Sequence, residues 1–278
     1  AKTDVNIIGY ATAGHGIYLG IGPITSSHGN VTFSGYTSSA TTTDYGIYSN
    51  GINASASNGS VIFQGAKLDT VTTLANAVSN LSGGSAAPLF AIADSSNMAS
   101  ATSKGLNWTG TVTANASTGY ISINAKAPSI TGAMTAYGLK LLANNQSYTL
   151  NSTSNSINTL AASIGTGSLT FVNSGVLNIG SYNSVTGITA ASVTLTAAGL
   201  TDTDDAGITT TSSSTITINN ATGSYDYSGV IAGPVALTKS GNGSQTLSAA
   251  NSYTGLTTIS AGTIKHGVAG GATKTPLG

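Results

Sequence analysis

Gly16-Ile17-Tyr18 returns as Gly46-Ile47-Tyr48, and Gly29, Val31, Phe33 and Gly35 return as Gly59, Val61, Phe63 and Gly65, all at one offset of 30 residues. Self-similarity at a period of roughly 20 to 50 residues marks a stacked repeat, in which no copy can bury its apolar face alone. Within the first copy, Gly16-Ile17-Tyr18-Leu19, Pro23-Ile24-Thr25 and Asn30-Val31-Thr32-Phe33 are three short β-runs separated by Gly, Ser and His-Gly-Asn turns. Three strands per coil fit a triangular parallel solenoid. The hairpins of a sandwich impose no common offset on every strand, whereas stacked coils do. The expected fold is therefore all-β: a right-handed parallel β-helix (β-solenoid) with short loop or helical decorations, covering residues 1–278 as a single segment.

Composition points the same way. Only 6% of the 278 residues are charged, against roughly 25% in ordinary soluble domains. The eight acids are all Asp and the eight bases all Lys, so two of the best solvent-facing helix formers are missing. Thr, Val, Ile and Tyr alternate instead with Gly, Asn and Ser, the mixture of pleat-filling and turn residues. No apolar run approaches the roughly 20 residues of a membrane-spanning helix. With zero net charge and no basic run, the electrostatic footprint of a nucleic-acid binder is missing. The absence of cysteine removes disulfides and thiolate metal sites. Strand-like sequence begins directly after Ala1, which reads as a mature segment or an excised piece of something longer.

The pattern continues less regularly at Gly119–Ile123, Tyr137–Leu139, Gly167–Phe171, Ser192–Thr196 and Thr215–Ile218. If a coil uses about 25 to 30 residues and rises about 4.8 Å, the rod is on the order of 50 Å long. One region breaks the rhythm. Leu68, Val71, Leu74, Val78 and Leu81 sit at helical spacing, Asp69 is placed to help cap the start, and Gly83-Gly84 with Pro88 end the run. The β-branched residues in that window favour a strand, so both readings stay open. Residues 67–105 are the expected projecting decoration. Ile157, Leu160 and Ile164, opened by Asn155-Ser156, form a second candidate helix.

The run Leu237-Thr238-Lys239-Ser240-Gly241-Asn242-Gly243, continuing through Thr246-Leu247, Asn251-Ser252-Tyr253-Thr254-Gly255 and Ala261-Gly262-Thr263, closely resembles the autotransporter-associated β-strand repeat over residues 237–264. Asn158–Ala162, Gly167–Asn173 and Thr186–Thr189 look more loosely like the large filamentous-haemagglutinin type of bacterial adhesin. The resemblance implies a β-helical segment of a secreted bacterial surface adhesin, either an autotransporter passenger or a two-partner-secreted protein. An outer-membrane translocator would then lie outside this segment. Its expected partners are a host surface, a glycan or a neighbouring copy in cell attachment, aggregation or biofilm. A structural stalk or export-assisting spacer without its own ligand is the alternative, and a carbohydrate-active β-helix enzyme a weaker one.

Enzyme chemistry finds little support. His15, His28 and His266 are the only histidines. His28 occupies the slot of Asn58 in the repeat and His15 that of Tyr45, as turn or strand-edge residues do. No Gly-x-Ser-x-Gly motif is present. A glycan-cleaving β-helix needs paired carboxylates or a carboxylate with Arg or Lys, and the one acidic cluster is Asp202, Asp204 and Asp205. That cluster resembles half a calcium loop without its later bidentate Glu and reads as a solvated loop. No catalytic, cofactor-binding or metal residue is assigned. Thr111/Thr113, Thr194/Thr196 and Thr215/Thr217 form Thr-x-Thr strands of a kind that orders water on some flat solenoids, but their irregular spacing fits ordinary strand alternation. Tyr18 and Tyr48 are in register, to stack inside the coil or outside it as a platform for sugar.

Overall fold

The computed structural model describes residues 4–11, 14–20, 22–37, 45–67, 104–125, 128–142, 145–182 and 184–267. Among these residues there are 30 strands and no helix. They form a parallel β-helix with three faces.

Face I stacks β2 (Ile17–Leu19), β5 (Tyr45–Ser49), β8 (Lys104–Trp108), β11 (Ser129–Ile130), β13 (Tyr148–Leu150), β15 (Ser168–Val172), β20 (Ser192–Ala197), β23 (Ser214–Ile218), β26 (Val235–Lys239) and β29 (Thr257–Ile259). Ten strands make ten rungs, so the rod is about 45 Å long. Face II carries β3 (Ile24–Ser26), β6 (Ala54–Ala56) and β9 (Val112–Ala114), then β16 (Val176–Ile179) and β21 (Gly199–Asp202), then β24 (Ser224–Tyr227), β27 (Ser244–Leu247) and β30 (Thr263–His266). Face III carries β1 (Val5–Ala11), β4 (Val31–Thr37), β7 (Val61–Lys67), β10 (Tyr120–Ala125), β19 (Ile188–Ala190), β22 (Ile208–Thr210), β25 (Ile231–Gly233) and β28 (Ser252–Tyr253). The longer β12 (Met134–Leu142) and β14 (Ser156–Ser163) run through both II and III. Every pairing is parallel except that of β17 (Ser181–Tyr182) with β18 (Val185–Thr186), a small antiparallel hairpin.

The repeat read from the sequence is the register itself. Ile17 pairs with Ile47, Tyr18 with Tyr48, and Phe33 with Phe63. Further along, the coil is shorter than the expected 25 to 30 residues: Tyr148 to Leu169 is 21, Leu169 to Val193 is 24 and Leu237 to Thr257 is 20. From Ile47 to Leu106 it is 59, because residues 68–103 enter between β7 and β8. The candidate helix at Leu68–Leu81 and nearly all of the 67–105 decoration lie outside the described residues.

Inward residues alternate along each strand into one shared core, in which Val31, Phe33, Ile47, Phe63, Leu106, Ile121, Leu160, Phe171, Leu195, Ile216 and Leu237 are fully buried. Phe33 and Phe63 stack at 5.2 Å and 8°, and Trp108 packs against them at 5.0 and 4.9 Å. Corners are held by buried amides. Asn155 accepts the Met134 N–H at 2.9 Å and donates to the Leu150 and Val172 carbonyls, both at 3.0 Å. One rung on, Asn173 accepts the Ile157 N–H and donates to the Ile157 carbonyl. Such bonds satisfy backbone groups that leave the ladder as the chain turns.

The second expected helix, at Ile157, Leu160 and Ile164, is instead β14. Leu160, Ala161 and Ala162 are all buried, because the β17–β18 hairpin packs on its outer side while the core lies on the inner side. Burial on both faces erased the alternation that marks a strand.

Candidate functional site

Outward positions of face I form columns of hydroxyls. Thr149, Thr170, Thr194 and Thr215 are successive partners in one column. Thr196, Thr217, Thr238 and Thr258 form a second, two residues along the same strands. On face II, Thr25, Ser55, Thr113, Thr135 and Ser156 form a third. These side chains are exposed or half-exposed, and none is charged. The irregular spacing of the Thr-x-Thr motifs in sequence therefore hides a regular array. Loops absorb the differences in coil length while the strands keep register. Rungs repeat about every 4.8 Å, and alternate residues along a strand about every 6.6 Å. A β-branched hydroxyl in such a column has few rotamers, so the array is largely pre-ordered.

Near the start of face I the outer surface is aromatic. Tyr18 and Tyr48 stack outside the coil at 5.5 Å and 9°. His15 stacks on Tyr48 at 4.6 Å and on Tyr18 at 5.7 Å, and Tyr45 tilts against both His15 and Tyr48. The Tyr45 backbone N–H donates to His15 Nδ1 at 3.0 Å. Nδ1 is thus an acceptor, and the neutral ring carries its proton on Nε2.

The acidic cluster is a locked turn. Asp202 Oδ1 accepts the Asp204 N–H at 2.9 Å, and its Oδ2 accepts the Ser228 hydroxyl at 3.0 Å. Asp204 Oδ2 accepts the Ser181 N–H, and Asp205 takes a left-handed conformation at φ 52°. Asp226 faces elsewhere and accepts the Ser248 hydroxyl. Among the described residues no three His or Asp side chains gather as a metal-holding group. His28 Nδ1 lies 2.7 Å from the Ser27 hydroxyl in an exposed turn, and Asn58, its partner in the repeat, donates to the Ser27 carbonyl.

Sequence reasoning missed the tyrosine cluster at the middle of the rod. Tyr182, on the β17–β18 hairpin, lies over Gly138 and packs on Tyr120 at 4.7 Å. Burial pushes both phenols up, and each feels a neighbouring tyrosine, Tyr182 for Tyr120 and Tyr137 for Tyr182. The only signal was Gly138, whose missing Cβ leaves room for the ring.

The last coils give each motif residue a physical task. Lys239 is buried at an inward position, and its ammonium donates to the carbonyls of Ser240 and Gly241 at 2.7 Å and of Ala261 at 3.4 Å. Burial lowers its pKa. Gly241 and Gly262 both take φ 75°, and a Cβ on Gly262 would meet the Gly241 carbonyl. Asn251 accepts the Ile231 N–H at 2.8 Å. Leu247 and Tyr253 fill the core, and Tyr253 does so from the short strand β28. Gln245, also buried, spans two rungs to bond both the N–H and the carbonyl of Leu200.

No curated protein and no solved structure matches the chain. Residues 237–265, the coil just described, match the passenger-associated-transport-repeat family, a repeat of autotransporter passengers.

Proposed function

We propose that this chain is a non-enzymatic segment of a secreted bacterial surface protein that mediates cell attachment, aggregation or biofilm formation through its uncharged flanks. The observation that carries this reading is the set of in-register hydroxyl columns on faces I and II. Two such faces can meet with neither charge repulsion nor large desolvation cost. Contacts that are weak per rung add along the rod. The passenger transport repeat at 237–265 supports export to the cell surface.

Beads coated with the protein test this. Clustering is expected and should persist from low salt to about 1 M, where the Debye length shrinks from roughly 30 Å to 3 Å. Replacing both Thr194→Lys and Thr215→Lys should abolish it by like-charge repulsion. Beads that stay dispersed would refute the adhesive reading. They would favour the second one, a spacer that folds and aids export, which the match of the last coil to a transport repeat supports.

A further inference from the structure

The aromatic patch at the start of face I lies outside the hydroxyl columns and has a different chemistry. We propose that Tyr18 and Tyr48, set in place by His15 and Tyr45, form a binding site for a hexopyranose glycan. Tyr18 is 62% exposed, yet its ring is held by Tyr48 and His15 rather than free to sweep through solvent. Its side chain also leans over Gly20, where a Cβ would lie 3.1 Å from the ring. The ring is a preformed platform, so little side-chain entropy is lost when a ligand stacks on it.

The polar groups are equally suited. The hydroxyls of Tyr18 and Tyr48 make no hydrogen bond with described residues, and they belong to successive rungs of one column. Half-buried Asn107 is the next member of that column. A pyranose is amphipathic in the complementary sense, with an apolar C–H face and a rim of hydroxyls. One sugar packs against the exposed Tyr18 ring, and neighbouring sugars along the rod exchange hydrogen bonds with the Tyr48 hydroxyl and the Asn107 amide. A wholly apolar ligand would leave these groups unpaired. A nucleic-acid strand would need a basic groove beside the aromatics.

The test is titration of the whole chain with cellohexaose, chitohexaose and maltohexaose, followed by NMR and calorimetry. Saturable binding of at least one is expected, with shifts at Tyr18, Tyr48 and Asn107. Tyr18→Ala should weaken it about tenfold, whereas Tyr18→Phe, which keeps the stacking face, should retain most of it. Bead clustering by Tyr18→Ala should match the wild type, which separates this site from the hydroxyl columns and shows that the variant is folded. Failure of all three sugars to bind saturably, or binding that Tyr18→Ala leaves unchanged, would overturn the assignment.

Discussion

The carbonyl oxygen of Gly46 occupies the place where a side chain on Gly35 would begin: a Cβ there would lie 2.0 Å from that oxygen. Gly35 pairs with Gly9 and Gly65 along face III, and a Cβ on Gly9 would lie 1.9 Å from the Gly16 carbonyl. Gly35, one of the glycines that repeat at a fixed offset, is therefore a corner residue past which the next strand runs. Gly35→Ala should destabilise the protein by about 2–3 kcal/mol through backbone displacement. Gly175→Ala, where nothing lies within 4 Å, should change stability by no more than about 0.5 kcal/mol. Urea unfolding followed by circular dichroism compares the two.

Asn155→Ala removes three hydrogen bonds at once and leaves the Met134 N–H and the Leu150 and Val172 carbonyls without their partner inside a corner. The expected loss is about 3 kcal/mol. Asn58→Ala, which loses one bond to the Ser27 carbonyl in an exposed turn, should cost well under about 1 kcal/mol. Equal losses at the two sites would contradict the corner role of Asn155.

Alkali should be the weak side of this fold. Burial pushes the phenols of Tyr148 and Tyr227 up, and the Asp202 charge adds to the effect on Tyr227. The Tyr148 hydroxyl donates its proton to the Leu142 carbonyl at 2.6 Å, with the Ile123 carbonyl 3.1 Å away, and the Tyr227 hydroxyl donates to the buried Ala206 carbonyl. Each folded-state pKa lies above the unfolded value near 10, so above that pH the folded state binds more protons than the unfolded chain. The stabilisation is complete below about pH 10 and is lost as the pH climbs toward the folded-state value, at about 1.4 kcal/mol per pH unit for each residue. Denaturant midpoints that stay level to pH 11 would show that these phenols are not buried.

The Asp202 turn should be indifferent to calcium. Both Asp202 oxygens are already engaged, by the Asp204 N–H and the Ser228 hydroxyl. Millimolar calcium and EDTA should leave the melting temperature within about 1 °C of each other, since a ligand that binds only the folded state would raise it. A calcium-dependent rise would make the loop a metal site.

Legibility followed exposure. Where one side of a strand faces the core and the other water, as in the Ile17/Ile47 and Phe33/Phe63 coils, alternation and offset showed both strand and register. Where the hairpin covers β14, Leu160-Ala161-Ala162 lost that alternation and imitated a helix. The hydroxyl columns were hidden for another reason. From β13 to β29 on face I the coil length varies between 20 and 24 residues, so Thr170, Thr194 and Thr215 align only in space. Tyr18 and Tyr48 were seen to be in register, but their side of the sheet depends on strand phase, which Ile17 and Ile47 settle by turning inward.

Spin-label distances along one outward column test the stacked-rung architecture most directly. Thr149, Thr170, Thr194 and Thr215 are successive partners on face I, and Thr149 and Thr215 are both exposed. Leu256, one residue before Thr257 and 74% exposed, is two rungs further on. Labels at Thr149 and Thr215 should lie about 14 Å apart along the axis and labels at Thr149 and Leu256 about 24 Å, an advance of about 4.8 Å per rung. Separations that do not grow with rung number, as in a folded-back sandwich of hairpins, would contradict it.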